Sequence, residues 1–528
     1  MPARNVILSL LAVSTLLFLA GCGSSSPKAT APPSGGFSNS SLNGNYVFST
    51  TGVDVNNSPL TVVGAFAASG GTISGGSIDV LDLSAGISSN QPITSGSYSV
   101  TADGRGQIQL KTSTVLGSTL GLDFVLTSSS HGLITQFDGN GTGSGTIDLQ
   151  STSLSQSSLS GLSYAFSLFG YGSTSTFATA GSITLGSTGN ATSGIQDFNN
   201  GGSPTTAQAI STSSFITVGT GTTPGTASLV TNVGTFGFDV YAIDSTHLKL
   251  IENDSQFTLS GDAFTQATAL PSSGTLAFTM AGLDSAASPF SAGGLIPLDA
   301  NSNVAAGGVE DFNDAGNVGQ DTGFAGGFSS LGGGPRSVLT LTSFVNGAAN
   351  DLGGTYTFAA YPFTSNGVSG VQLLEIDSTA VGANLISSGT AYLETSTSLA
   401  ASQGYGLNLS GANTSGEEDD IAEFTTTSSG YTGIVDLNDQ GALSFDKSLT
   451  GSYSAGGTGR YTATTTNYFN YDLYVVNGST FLLLETDSAQ VGTGIVELQS
   501  ASGVPGIARP AKAVLRPAAR ANSLFRGK

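Results

Sequence analysis

The chain of 528 residues holds one cysteine, two histidines and no tryptophan. A lone cysteine excludes an internal disulfide framework and a thiolate zinc site, and two histidines cannot furnish repeated metal centres. Positive charge is almost as scarce. Fourteen Lys and Arg stand against 35 Asp and Glu, a formal net charge of −21, which argues against a nucleic-acid partner. Charged residues make up only 9% of the chain, so it is not a highly charged disordered polymer. Long apolar runs are missing too. The single candidate, Val6 to Ala20, is too short for a comfortable membrane span.

What is present begins with glycine, at 75 residues about double the usual ~7%, and with a leader. Arg4 precedes the apolar run, which then ends in Leu19-Ala20-Gly21-Cys22. This ending resembles the lipobox of bacterial lipoproteins, with the chain's only cysteine at the modified position. The resemblance implies cleavage before Cys22 and acylation of its thiol and new amine, so the lipid bilayer is an expected partner. Gly23 stands where that family's inner-membrane retention signal has Asp, which implies the outer membrane. Residues 1–21 read as a signal peptide, and residues 22–40, rich in Ser, Pro and Gly, as a tether. Residues 503–528 carry six basic residues interrupted by three prolines and read as a disordered basic tail. Residues 41–502 therefore hold all 35 acids and six basic residues, a formal charge of −29.

Three landmarks recur in one order along this acidic body. An opening strand starts at Tyr46, Tyr164, Leu276 and Tyr405. A Gly-x-x-Asp pattern ends at Asp79, Asp197, Asp311 and Asp436. An apolar strand runs into Asp138, Asp254, Asp377 and Asp487. The steps agree: 118, 112 and 129 residues for the first, 118, 114 and 125 for the second, 116, 123 and 110 for the third. Four units follow, at 41–157, 158–270, 271–399 and 400–502.

Each unit alternates short β-prone runs with turn residues, about eight runs per unit, and none shows sustained helical amphipathicity. In unit 1 the runs begin near Tyr46, Leu60, Gly71, Ile93, Gly106, Leu120, Gly132 and Gly143. The expected fold is all-β: tandem up-and-down barrels of about eight antiparallel strands, with β-sandwiches as the alternative. Gly44-Asn45-Tyr46 resembles the Gly-x-Trp opening of lipocalin-like and avidin-like barrels over these few residues. Tyrosine stands where those families have tryptophan, and no ligand is carried over.

Candidate sites come from the rare or clustered charges. Asp311 with Asn313 and Asp436 with Asn438 echo the start of a calcium loop, although Ala315 and Gln440 break the pattern and Lys447 stands where a closing Glu is needed. The alternative is an Asx turn. Glu417-Glu418-Asp419-Asp420 reads as a solvated acidic loop or a second calcium site. No cofactor other than calcium is suggested. The pairs Glu252/Asp254, Glu375/Asp377 and Glu485/Asp487 would share a strand face and suit a solvated strand end, or an acid/base pair acting on glycans. Arg105, Arg336 and Arg460 occupy matching places in units 1, 3 and 4, where each is expected to pair with an acid of its own unit. His131 and His247 lie at matched places in units 1 and 2 and read as turn or surface residues. No catalytic residue is assigned. The sequence points to a lipid-anchored, envelope-facing protein with a binding, adhesion or structural role and a glycan or protein ligand. The competing reading is a glycan hydrolase.

Overall fold

The computed structural model describes residues 36–500, apart from 173–174, 255–256, 272, 285, 331–334, 344–353, 378–383 and 414, together with Ile507. The leader, Cys22 and most of the basic tail lie outside these residues. Ile507, which the sequence placed in a disordered tail, is buried in a core shared by all four barrels. No helix among the described residues is long and apolar enough to cross a membrane.

The fold is all-β, built from antiparallel barrels in tandem rather than sandwiches. In barrel 1 the strand Gly44–Asp54 pairs with Pro59–Ser69 on one side and with Gly141–Leu149 on the other, so the first and last strands meet. Ser163–Tyr171 does the same in barrel 2, between Thr176–Leu185 and Ser260–Thr265. Barrels 3 and 4 close over eight strands each, opening with Gly274–Asp284 and Gly404–Asn413. Closure pairs the edge strands that would otherwise template aggregation.

The fourth strand differs among the barrels. It is continuous in barrels 3 and 4, as Asn317–Ser330 and Ala442–Gly457. In barrels 1 and 2 it is split, into Gly86–Ile93 and Ser95–Val100, and into Ser203–Ala209 and Phe215–Ile216. Both pieces still join the wall of barrel 1 by pairing with Thr72–Asp82. In barrel 2 an isolated Asn190 to Phe215 bridge joins the second piece.

Strand alternation gives every barrel two apolar faces. The inward residues fill four separate cores: Phe48, Phe66 and Phe124 in barrel 1, Phe166, Phe198 and Phe236 in barrel 2, Phe278, Phe312 and Phe358 in barrel 3, and Phe424, Tyr471 and Phe481 in barrel 4. The residual space among Phe278, Phe290, Tyr356 and Phe358 in barrel 3 is about 10 Å³, room for at most one water. Among the described residues each interior holds a packed cluster of buried aromatic and aliphatic side chains.

The outward residues form a fifth core to which every barrel contributes, including Val125 and Leu133, Ala165 and Phe264, Ala359 and Tyr361, and Ile421 and Tyr474. Small residues bring the walls close. A Cβ on Gly293 of barrel 3 would come within 2.5 Å of the Tyr474 ring of barrel 4, and one on Gly406 of barrel 4 within 2.9 Å of Val125 in barrel 1. The contacts run from barrel 1 to 2, 2 to 3, 3 to 4 and 4 back to 1. In each case the first strands of one barrel meet the last strands of the next. One heterologous interface used four times closes a ring, here within a single chain.

Candidate functional site: the four seams and the cavity between barrels

The second landmark explains the seams. In every barrel the register slips at its aspartate: between Ile78 and Val80, Gln196 and Phe198, Glu310 and Phe312, and Val435 and Leu437. Two residues of the fourth strand oppose one Asp, which is a β-bulge, and a bulge re-aims the side chain it carries. The bulged strand turns an N–H toward the carboxylate. Asn90 donates to Asp79 at 2.6 Å, Ala207 to Asp197 at 2.8 Å and Asp446 to Asp436 at 2.5 Å. Those three donors all have positive φ, between 48° and 55°.

The aspartate so aimed is gripped by the next barrel. Asp197 of barrel 2 accepts Nε and Nη2 of Arg336 in barrel 3 at 2.6 and 2.7 Å, and also the Tyr361 hydroxyl. Asp311 of barrel 3 accepts Nε and Nη2 of Arg460 in barrel 4 at 2.7 and 2.9 Å, and the Tyr474 hydroxyl at 2.5 Å. Both are bidentate guanidinium pairs out of solvent. Burial opposes each guanidinium charge, and the aspartates more than offset it, so both arginines hold their protons more tightly than usual. The sequence assigned each Arg an acid of its own unit. The main partner instead comes from the preceding barrel, with Asp472 as a second, same-barrel partner of Arg460 at 2.9 Å.

The other two seams are incomplete. Arg105 of barrel 1 reaches Asp436 of barrel 4 at 3.4 Å and also holds Asp446 of barrel 4 at 2.7 Å and its own Asp103 at 3.2 Å. Val125 pairs with Arg105 where Tyr474 pairs with Arg460. At the first seam Asp79 accepts the hydroxyl of Tyr241 in barrel 2. No arginine stands there: Pro224 holds the matching place, one residue before the paired Gly225, as Arg336 stands one residue before the paired Ser337.

The asparagine two residues after Asp197, Asp311 and Asp436 points the same way and closes those three seams a second time. Asn199 donates to the Glu375 carbonyl at 3.0 Å, Asn313 to the Asp487 and Gln490 carbonyls at 2.8 Å, and Asn438 to the Gln136 and Gly141 carbonyls at 2.7 and 2.9 Å. The groups of Asp311, Asn313, Asp436 and Asn438 that suggested calcium thus bind the adjacent barrel. Among the described residues no three His, Cys, Asp or Glu are arranged to hold a metal ion.

The run Glu417–Asp420 is not a loop but part of the strand Glu417–Thr426, and Glu417, Asp419 and Asp420 are buried. Asp419 accepts Ser144 at 2.6 Å and Thr142 at 2.7 Å across the seam with barrel 1. Asp420 packs in barrel 4, where burial and the charges of Glu418, Asp419 and Asp439 push its carboxyl well above the ordinary range. Of the paired acids, Asp254, Asp377 and Asp487 lie half-exposed just past the strand ends, whereas the glutamates turn inward. Glu252, Glu375 and Glu485 are buried, and burial raises Glu252 to about 9 and Glu375 to about 8. Their companions bind backbone: Asp138, Asp254, Asp377 and Asp487 accept the N–H of Gly121, Gly237, Thr357 and Asn470 at 2.9, 3.0, 2.5 and 2.9 Å. Four repeats of one cap describe scaffolding.

The histidines are buried, contrary to their surface reading. His131 lies between Asp148 at 2.6 Å and Glu497 of barrel 4 at 2.9 Å. Burial alone would lower its pKa, but Glu497 and Asp148 raise it to about 10, so it is an imidazolium at neutral pH. His247 binds Asp262 at 2.6 Å and stacks on Phe264 at 4.4 Å. Both line a cavity of about 130 Å³ between barrels 1, 2 and 3, with Asp148, Asp244, Phe264 and Asn366. Their matched offset before the third landmark was the available signal; nothing local announced burial.

No family model matches the chain, and no curated protein does. Among solved structures it is similar to intact Ap-TbpB with its N and C lobes, at 9% identity and a TM-score of 0.19, covering 70% of this chain and 84% of that one. A single mutant of transferrin binding protein B from Haemophilus parasuis Hp5 gives 9%, 0.19, 89% and 98%. Kievitone hydratase from Nectria haematococca gives 9%, 0.17, 71% and 95%. The architecture above rests on this chain's own strand pairing.

Proposed function

We propose that this protein is an acylated envelope lipoprotein whose four-barrel ring is a rigid platform, binding a protein or glycan partner on its outer surface. The observation that carries this reading is the pairing of filled barrel interiors with buried inter-barrel ion pairs. A barrel without a cup has its outer face left for recognition, and a closed ring fixes how four such faces are presented. The lipobox-like Leu19-Ala20-Gly21-Cys22 supplies the anchor, and Gly23 supports the outer membrane as its destination. The hydrolase reading needs opposed carboxylates around a substrate, whereas in the acid pairs of this chain the glutamates are buried and the aspartates cap backbone.

Metabolic labelling with a radioactive fatty acid tests the anchor. Wild type is expected to incorporate label and Cys22→Ala to lose it; equal incorporation would refute acylation at Cys22. A glycan array probed with the intact protein tests the platform. Retention without turnover supports it, and cleaved products would favour the hydrolase.

A further inference from the structure

We infer that the ring has one built-in opening, the seam between barrels 1 and 2, where the bulge aspartate Asp79 has no arginine, and that it opens when this carboxyl ionises. The geometry singles this seam out. Three seams place an arginine against the bulge aspartate; this one has Pro224 at the matching place in the chain, and Asp79 accepts the Tyr241 hydroxyl and the Asn90 N–H instead. The asparagine that closes the other seams is also missing, since Leu81 holds its position.

A second carboxylate faces the first. Asp239 comes from the same strand as Tyr241, Thr235–Ala242, and accepts Ser89 of barrel 1 at 2.5 Å and Asn253 at 3.0 Å. The groups facing Asp79 are therefore Tyr241 and Asp239 from barrel 2 and the Asn90 N–H from its own barrel. The nearest lysine along the barrel 2 wall, Lys249, is engaged by Asp262 at 3.0 Å. A buried carboxyl beside a second acid and with no cation against it is costly to ionise, so Asp79 retains its proton toward neutrality. Burial is the main reason the Asp79 carboxyl rises to about 7, with the Asp239 charge adding to it.

The sign follows from linkage. The closed seam binds more protons than the open one between the ordinary Asp range near ~4 and about 7, so closure is strongest in acid and weakens as pH rises through neutrality. The 2–3 and 3–4 seams instead place a guanidinium directly against the bulge aspartate. The consequence reaches the cavity. Opening would uncover Val63, Ala65 and Leu81 of barrel 1 and Tyr241, Ile243 and Ile251 of barrel 2. It would also widen the 130 Å³ cavity, whose lining includes Leu149 and Ile243. The backbone from 150 to 162 keeps the two barrels joined, so the ring becomes a clamp and the chain stays whole.

Hydroxyl-radical footprinting of the intact protein reads this without a label. Between pH 6 and pH 9, oxidation of Tyr241 is expected to rise by at least about tenfold, from the size of the proton linkage. Tyr361 and Tyr474, in the 2–3 and 3–4 seams, serve as internal controls and are expected to stay protected. Asp79→Asn should keep Tyr241 protected at both pH values. Should that variant fold poorly, Pro224→Arg, which supplies the missing cation, is expected to give the same protection. A flat Tyr241 response in wild type, equal exposure of all three tyrosines, or unchanged pH dependence in both variants would overturn the inference.

Discussion

Arg460→Ala is expected to destabilise the protein by about 3–5 kcal/mol, the usual cost of breaking a buried ion pair by removing one partner. The loss is large because two carboxylates depend on one guanidinium. Asp311 and Asp472 would be left facing each other inside the 3–4 seam without that guanidinium, the Tyr474 hydroxyl still donating to Asp311. Asp472, already raised to about 6 by burial and by Asp311, would take up a proton. Arg460→Lys should recover only part of the loss, because an ammonium cannot present the two-pronged fork that spans Oδ1 and Oδ2 of Asp311. Calorimetric unfolding of wild type and both variants checks this. An Arg460→Ala midpoint equal to wild type would show that the seam contributes nothing to stability.

The second large effect lies between barrels 1 and 4. His131 is held between Asp148 and Glu497, so His131→Leu removes the cation from two buried acids and is expected to cost about 3–5 kcal/mol near pH 6. Its pH dependence is the diagnostic. The folded His131 pKa of about 10 lies above the unfolded value near 6.5, so its contribution is fully present below about 6.5 and is lost as pH rises through 10. Asp148 behaves oppositely. Burial alone would raise its pKa, but the imidazolium beside it more than offsets this and holds the carboxyl well below the ordinary range, so its contribution is present above about 4 and lost in acid. The gap between wild type and His131→Leu should therefore be widest between about pH 4 and 6.5 and close toward pH 10. A gap independent of pH would mean that His131 acts by packing alone.

These effects also show what the sequence could and could not convey. Strand number was legible because turn residues punctuate each unit at short intervals, and the bulge aspartates were legible as a repeated pattern. Their task was not. Asp197 and Arg336 are 139 residues apart, and only the way one barrel wall meets the next brings them together. Own-unit pairing was the natural expectation, since most strand partners in a barrel are sequence neighbours. The run Glu417–Asp420 misled for a related reason. Four adjacent acids suggest solvent, yet alternation in a strand sends Glu417 and Asp419 to one face and Glu418 and Asp420 to the other. Donors from another barrel, Thr142 and Ser144, then receive Asp419. His131 and His247 carried no motif because their partners are single acids on neighbouring strands or, for Glu497, on another barrel. The filled interiors could not be read either, since apolar alternation looks the same for a packed core and a cup.

Whether the ring closes is measured most directly by the distance between barrel 1 and barrel 4. These barrels touch through the Phe137 and Phe445 rings, 4.9 Å apart, and through the Asn438 amide, which donates to the Gln136 and Gly141 carbonyls. Spin labels at Val55 and Lys447, in a Cys22→Ser background, would report that distance by pulsed electron resonance. A closed ring predicts one short, narrow distribution; a long, broad one, as an open string of four barrels would give, would contradict it.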